Sequence, residues 1–279
     1  MKSRRPKYGF IGMLALPILL AGCASEPPEH PPAHDSAQAP GVRLIAHRGG
    51  VVGEAYAENS PAALEAAVDR GYWMIEVDVR ESSDGRLVVH HDEDLKRFYG
   101  DARLVAETPW SEIEQLRATP GGSRPLLFEE LCALASGRLR LMLDVKPPDH
   151  SDAFFDSLEE SLKKHQLLET AYVIGTDQAR RRLSGQAVIG VDAAFLREAA
   201  QKGQSVKGHY FLFEHGRDFT PEQIAFAQSL GVPVVPSVNI FHYNDLPDHM
   251  EAAEADIRRM LELNVQEFQI DSPYDAWLR

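Results

Sequence analysis

From residue 42 to the end, short apolar and β-branched runs alternate with longer segments whose apolar residues recur every three or four positions. Nine runs read as strands: Arg43 to His47, Trp73 to Val79, Leu87 to His91, Leu139 to Val145, Ala171 to Gly175, Ala187 to Asp192, His209 to Glu214, Val232 to Val238 and Glu267 to Asp271. Their nearly continuous apolar character suits parallel strands covered on both faces. The segments between them carry helix starts at Ser60-Pro61, at Thr108-Pro109-Trp110 before Ser111 to Leu116, and at Thr220-Pro221-Glu222 before Gln223 to Ser229, with Gly71 and Gly231 as stops. A longer helix is expected over Asp248 to Leu263, where Met250, Ala253, Ile257, Met260 and Leu261 form a stripe that packs on the sheet.

Strands alternating with helices over about 240 residues predict one domain, a (β/α)8 TIM barrel over residues 42–279. Nine candidates exceed the eight such a barrel needs, so one of the early pair is expected to be a short hairpin or an extension. A doubly wound open sheet is the second choice. Against it, no glycine-rich phosphate loop follows the first strand, and polar residues gather at the C-terminal ends of several strands, where a barrel keeps its active-site mouth.

The pattern before residue 42 is different. A basic start (Lys2, Arg4, Arg5, Lys7) leads into an apolar run of 11 residues, Phe10 to Leu20, too short for a membrane-spanning helix, which needs about 20. This reads as an export signal over residues 1–22. Leu20-Ala21-Gly22-Cys23 resembles the lipobox of bacterial lipoproteins, which implies acylation of Cys23. An ordinary secretory signal ending near a cysteine is the alternative. Arg4-Arg5 leaves Sec and twin-arginine export both open. Residues 23–41 hold little that is large and apolar, and are expected to form a flexible tether in which His30 and His34 are solvated.

Charge narrows the partners. The chain carries −13, and without the signal's four basic residues −17, a poor match for nucleic acid or for an anionic lipid surface. Membrane attachment would therefore rest on the acyl chains. Cys132 then has no intrachain partner and reads as a small core residue.

Four strand ends carry the candidate chemistry. The first ends in His47-Arg48-Gly49-Gly50, which in isolation also fits a structural role. In Ile75-Glu76-Val77-Asp78-Val79 the period of two places Glu76 and Asp78 on one face, where two buried carboxylates repel unless a cation or two arginines compensate them. We favour a divalent metal. Leu87 to Asp92 contains His90-His91, of which one faces each side; periodicity does not say which. Leu141 to Lys146 sets Asp144 and Lys146 on one face, an unfavourable ending for an apolar strand unless both are paired or used.

Taken in order, His-Arg-Gly, Glu58-Asn59-Ser60, Glu-x-Asp, Asp84-Gly85, His-Asp and Asp-x-Lys resemble the glycerophosphodiester phosphodiesterase family, and Phe268 to Pro273 is similar to that family's last strand with its Thr-Asp-x-Pro motif. The resemblance covers nearly the whole domain. It implies that His47 and His91 are the catalytic acid and base, that Glu76, Asp78 and Asp144 hold the metal, that Arg48 and Lys146 face the phosphate, and that Asn59 orients the mouth. His90 is left as the outward neighbour. The family usually has glutamate where Asp144 stands, threonine where Ile270 stands, and a Trp-Thr pair where Pro236-Ser237 stands; the related sphingomyelinase D toxins carry Asp-x-Lys.

The resemblance further implies hydrolysis of glycerophosphodiesters to glycerol 3-phosphate and an alcohol through a cyclic phosphate, with oxygen ligands favouring Mg²⁺ or Ca²⁺. Two competing readings stand beside it: a toxin-like phospholipase that releases a cyclic phosphate from lysophospholipid or sphingolipid, and a surface lipoprotein that binds without catalysis. The expected location is the bacterial cell envelope, on the periplasmic face of the outer membrane.

Overall fold

The computed structural model describes residues 41–53, 55–147 and 149–279. The expected signal, Cys23 and the tether up to residue 40, with His30 and His34, lie outside the described residues. Twelve strands follow in chain order: β1 (Arg43–Ala46), β2 (Met74–Glu81), β3 (Leu87–Val89), β4 (Asp94–Leu95), β5 (Asp101–Leu104), β6 (Leu126–Leu127), β7 (Arg140–Val145), β8 (Tyr172–Gly175), β9 (Val188–Val191), β10 (Tyr210–His215), β11 (Val234–Val238) and β12 (Glu267–Ile270). Eight of them, β1, β2 and β7 to β12, run parallel. The sheet closes because β1 pairs with both β2 (Ile45 with Met74) and β12 (Arg43 with Glu267). The domain is a (β/α)8 barrel, and the open sheet is set aside.

The surplus ninth strand of the sequence reading is β3. It pairs antiparallel with the far end of β2, Val79 opposite Val89, and β6 pairs antiparallel with it in turn. Loop length dictates this, since a parallel return needs a crossover of a dozen or more residues and residues 82–86 allow only a hairpin. Ser82 Oγ meets Asp84 Oδ1 at 2.6 Å, and the Gly85 amide donates to the Ser82 carbonyl at 3.0 Å. The insert between β3 and β6 has its own small core of Val88, Leu95, Val105 and Ile113.

Alternation along the strands separates two environments. Ile75, Val77 and Val79 on β2, and Leu141, Leu143 and Val145 on β7, face outward into the main core beneath the helices. Inward, Ile45, Met74, Met142, Tyr172, Ile174, Phe211 and Val235 fill the lower barrel. Tyr172 also donates its hydroxyl to Glu267 Oε2 at 3.0 Å, and Glu267 pairs with Arg43 at the floor. The residues one step further along β2 and β7 on the inward face are the carboxylates Glu76 and Asp144, so this apolar layer separates the floor pair from the mouth.

The helix starts at Ser60, Thr220 and Asp248 fall where the capping residues place them, whereas the helix expected up to Leu116 is a single turn, Trp110–Ile113, with no side-chain cap. Ser60 Oγ accepts from the Ala63 amide ahead of helix Pro61–Asp69, Thr220 and Gln223 form a capping box ahead of Pro221–Ser229, and Asp248 caps His249–Glu262. On the last helix Ala253, Ile257 and Met260 are buried, but Met250 is 37% exposed. The expected stripe therefore begins one turn late, because the helix meets the barrel only after its first turn. Cys132 is buried and is the free cysteine among the described residues, as the sequence implied.

Candidate active site

The mouth is built on a tight backbone turn. Beyond β1, Arg48 (φ 56°), Gly49 (φ 77°) and Gly50 (φ 135°) all have left-handed backbone. A side chain at Gly49 would lie 2.6 Å from Asn59 Cα, and one at Gly50 would lie 2.2 Å from the Ala63 carbonyl oxygen. The two glycines therefore let the chain press against the start of helix Pro61–Asp69. The turn aims the Arg48 amide at Glu76 Oε2, 2.8 Å away, and the Arg48 carbonyl accepts from the Asn59 amide at 2.9 Å.

Glu76 and Asp78 from β2 and Asp144 from β7 bring one carboxylate oxygen each to within 4.8 Å of one another. Both Glu76 and Asp78 are only 1% exposed. At that spacing each charged pair repels by about 3 kcal/mol at an effective dielectric of 20, more than one ordinary hydrogen bond offsets. Burial, then Asp78 and Asp144, push the Glu76 carboxyl well above the usual carboxylate range. Asp144 is raised by burial and by Asp78, against the pull of Lys146. Asp78 differs: burial works upward, but Lys146, His91 and His47 outweigh it and leave it lowered.

One ammonium serves all three acids. Lys146 Nζ lies 2.6 Å from Asp78 Oδ1 and 3.2 Å from Asp144 Oδ2, and although burial opposes its charge, the carboxylates raise its pKa. Three acids and one lysine leave negative charge that the described side chains do not balance. An all-oxygen set of this size suits a hard divalent cation, so the residues fit the metal that the sequence suggested. Asn59 holds one of them in place, its Nδ2 donating to Asp78 Oδ2 at 3.2 Å.

Two imidazoles flank this trio, each fixed in the same way. His47 Nδ1 lies 2.7 Å from Asp271 Oδ1, and His47 Nε2 is 3.9 Å from Glu76 Oε2. Asp271, at the end of β12, also accepts from the Ile240 amide at 2.7 Å; burial raises its pKa less than His47 and this bond lower it. His91 Nδ1 lies 2.7 Å from Asp92 Oδ1, with His91 Nε2 3.2 Å from Arg48 Nη2. An arginine can only donate, so the network assigns His91 the Nδ1–H tautomer, with the Nε2 lone pair accepting from Arg48. Each ring thus shows its carboxylate one nitrogen and the site the other.

All eight residues that the sequence assigned to the mouth gather there: His47, Arg48, Asn59, Glu76, Asp78, His91, Asp144 and Lys146. Arg48 and Lys146 are held by acids rather than standing free, since Arg48 Nη1 donates to Glu58 Oε2 at 3.1 Å. His90 turns away, buried in the insert with Nε2 2.7 Å from the Asp94 carbonyl. Four contributors were missed. Asp92, Asp271 and Glu58 stood inside recognised motifs without a role, whereas Gly175 gave no signal: a side chain there would lie 2.4 Å from Asp144 Oδ1.

The parallel barrel thus gathers at its mouth an acidic trio between two imidazoles that are each bound to a carboxylate. Residues 47–207 match the Glycerophosphoryl diester phosphodiesterase family, and the chain belongs to it. A glycerophosphodiester phosphodiesterase of Bacillus altitudinis is 32% identical over 129 residues, 44% of this chain and 51% of that protein. The chain spans about half or less of the curated relatives it matches. Among solved structures, a glycerophosphoryl diester phosphodiesterase from Parabacteroides distasonis superposes with a TM-score of 0.67 at 21% identity, covering 84% of each chain. A phosphodiesterase from Oleispira antarctica, solved with the product sn-glycerol-3-phosphate, gives 0.64 at 22% identity, covering 84% of this chain and 96% of its own.

Proposed function

We propose that the protein hydrolyses glycerophosphodiesters to glycerol 3-phosphate and an alcohol, with Glu76, Asp78 and Asp144 holding one divalent ion, Mg²⁺ or Ca²⁺. The observation that carries this is the acidic trio set between two imidazoles whose Nδ1 atoms are both tied to carboxylates. A neutral imidazole with a fixed tautomer can accept a proton on Nε2, and its carboxylate stabilises the imidazolium that results. Two such groups on one phosphodiester suit a reaction that removes a proton on one side and supplies one on the other.

In this reading the glycerol 2-hydroxyl loses its proton to one histidine and attacks phosphorus. The P–O bond to the alcohol breaks, and the alcohol leaves with a proton from the other histidine. A water then opens the cyclic phosphate with the histidine roles reversed, and each transfer contributes about 10² to 10⁴ in rate. The bound ion would supply Lewis-acid stabilisation of the phosphoryl oxygens. Arg48 and Lys146 add positive charge beside the same oxygens, and Asn59 keeps Asp78 oriented. Cys23 is proposed as the lipidated residue, anchoring residues 42–279 through the tether at the periplasmic face of the outer membrane.

Phosphorus NMR of the products of glycerophosphocholine and of a lysophospholipid tests the reaction. Free glycerol 3-phosphate supports the hydrolase, whereas a cyclic phosphate that persists would replace it with the lyase reading. His47→Ala and His91→Ala should each lower turnover by at least about 10² without unfolding. Unchanged turnover in both would remove the acid–base assignment, whereas absence of turnover in the wild type would leave the binding lipoprotein.

A further inference from the structure

Arg97, which none of the motifs includes, joins the two halves of the mouth. It stands in the single helical turn Lys96–Tyr99 of the insert between β3 and β6, outside the barrel. Its guanidinium makes two bidentate pairs, with Asp92 along the Nε–Nη2 edge and with Glu58 along the Nη1–Nη2 edge. Nε donates to Asp92 Oδ2 at 2.6 Å and Nη2 to Asp92 Oδ1 at 3.0 Å. Nη1 donates to Glu58 Oε2 at 2.9 Å, and Nη2 to Glu58 Oε1 at 2.5 Å.

Those carboxylates are the ones that hold Arg48 and His91. Glu58 accepts from Arg48 at 3.1 Å, Asp92 lies 2.7 Å from His91 Nδ1, and His91 Nε2 lies 3.2 Å from Arg48 Nη2. The contacts close a ring of five groups, Arg48, Glu58, Arg97, Asp92 and His91, with two positive and two negative charges and one neutral imidazole. An ordinary surface ion pair contributes about 0 to 1 kcal/mol. This one differs because the Glu58 side chain is only 5% exposed and depends on two guanidiniums. A planar five-donor fork can bridge two carboxylates in register, and an ammonium cannot.

We propose that Arg97 is a positioning residue for the phosphodiesterase reaction: by clamping Asp92 against Glu58 it fixes the tautomer and plane of His91 and the place of Arg48 at once. The helical turn of the insert is thereby coupled to the barrel's chemistry. This rests on the function proposed above, with one readout that does not.

The test uses the full chain with Arg97→Gln and Arg97→Lys, read by steady-state kinetics on glycerophosphocholine and by nitrogen-15 NMR of the His91 ring. Arg97→Gln should lower kcat about 10- to 100-fold, the usual cost of removing a partner that orients a catalytic group, with little change in KM. Its His91 should shift from the Nδ1–H form toward a mixture of tautomers. Arg97→Lys, which keeps the charge and a smaller perturbation of the fold, should recover only a minor part of kcat. Wild-type kcat in Arg97→Gln, full recovery in Arg97→Lys, or an unchanged His91 tautomer would each overturn the proposal. If the wild type turns over no glycerophosphodiester, the reaction assignment fails, and the tautomer measurement still decides the role of Arg97.

Discussion

Gly175 lies at the end of β8 with φ 84°, and the carboxylate of Asp144 occupies the space where a side chain would go. Replacing it with alanine places a methyl carbon 2.4 Å from Asp144 Oδ1 and 3.1 Å from the Val145 amide nitrogen. Ordinary contacts at such a carbon begin at 3.4 Å, so the carboxylate must retreat by about 1 Å, since the backbone of β7 cannot. Left-handed backbone at alanine adds about 1 to 2 kcal/mol, and the overlap about 1 to 3 kcal/mol. The variant should therefore unfold more easily by a few kcal/mol in urea. A misplacement of 1 Å at a reacting centre can cost about 10² in rate. Ion binding, read by isothermal titration calorimetry, should weaken along with turnover, while His47 and His91 keep their environments by NMR. A Gly175→Ala protein with wild-type ion affinity and rate would refute the reasoning that Asp144 is packed into place as a ligand.

Three further substitutions probe other parts of the mouth. Asp271→Asn should lower kcat by about 10² or more, because His47 loses the carboxylate that fixes its tautomer; stopped-flow or steady-state rates check this. Asn59→Ala frees Asp78 Oδ2 and should weaken ion affinity about 10- to 100-fold by calorimetry, with turnover recovering at high metal concentration. His242 lies buried between Phe241 and His215, and burial and the neighbouring His215 ring push its pKa down to about 4. A base depressed in this way favours the neutral folded form, so stability is complete above about pH 6.5 and is lost as pH falls from there toward 4. Because water reaches part of the ring's surroundings, the loss is about 1 to 3 kcal/mol. His242→Phe should flatten urea midpoints across pH 4 to 6.5; an unchanged slope would exclude this ring as the cause.

Much of the barrel was legible because both faces of its strands are covered, which leaves long apolar runs broken only where chemistry begins. The alternation in Ile75 to Val79 and in Leu141 to Lys146 put Glu76 with Asp78, and Asp144 with Lys146, on one face each, since the period of two is a property of extended backbone; that both faces look inward came from barrel closure. Pattern could not separate β3 from a barrel strand, because Leu87 to His91 is equally apolar; its antiparallel pairing depends on the short loop before it. Met250 was misplaced because a hydrophobic stripe does not reveal where a helix first meets the sheet. The role of Arg97 was invisible for another reason: its partners, Glu58 and Asp92, come from separate loops, and only the fold brings them within reach of one guanidinium.

The proposed function turns on Glu76, Asp78 and Asp144 holding one divalent ion. Hydrolysis of glycerophosphocholine should be measured after exhaustive chelation, with metal removal verified by elemental analysis, and again as Mg²⁺ or Ca²⁺ is titrated back. Activity should vanish on stripping and return at one ion per chain in the wild type, but not in Glu76→Gln. Undiminished hydrolysis by the verified metal-free protein would contradict metal dependence.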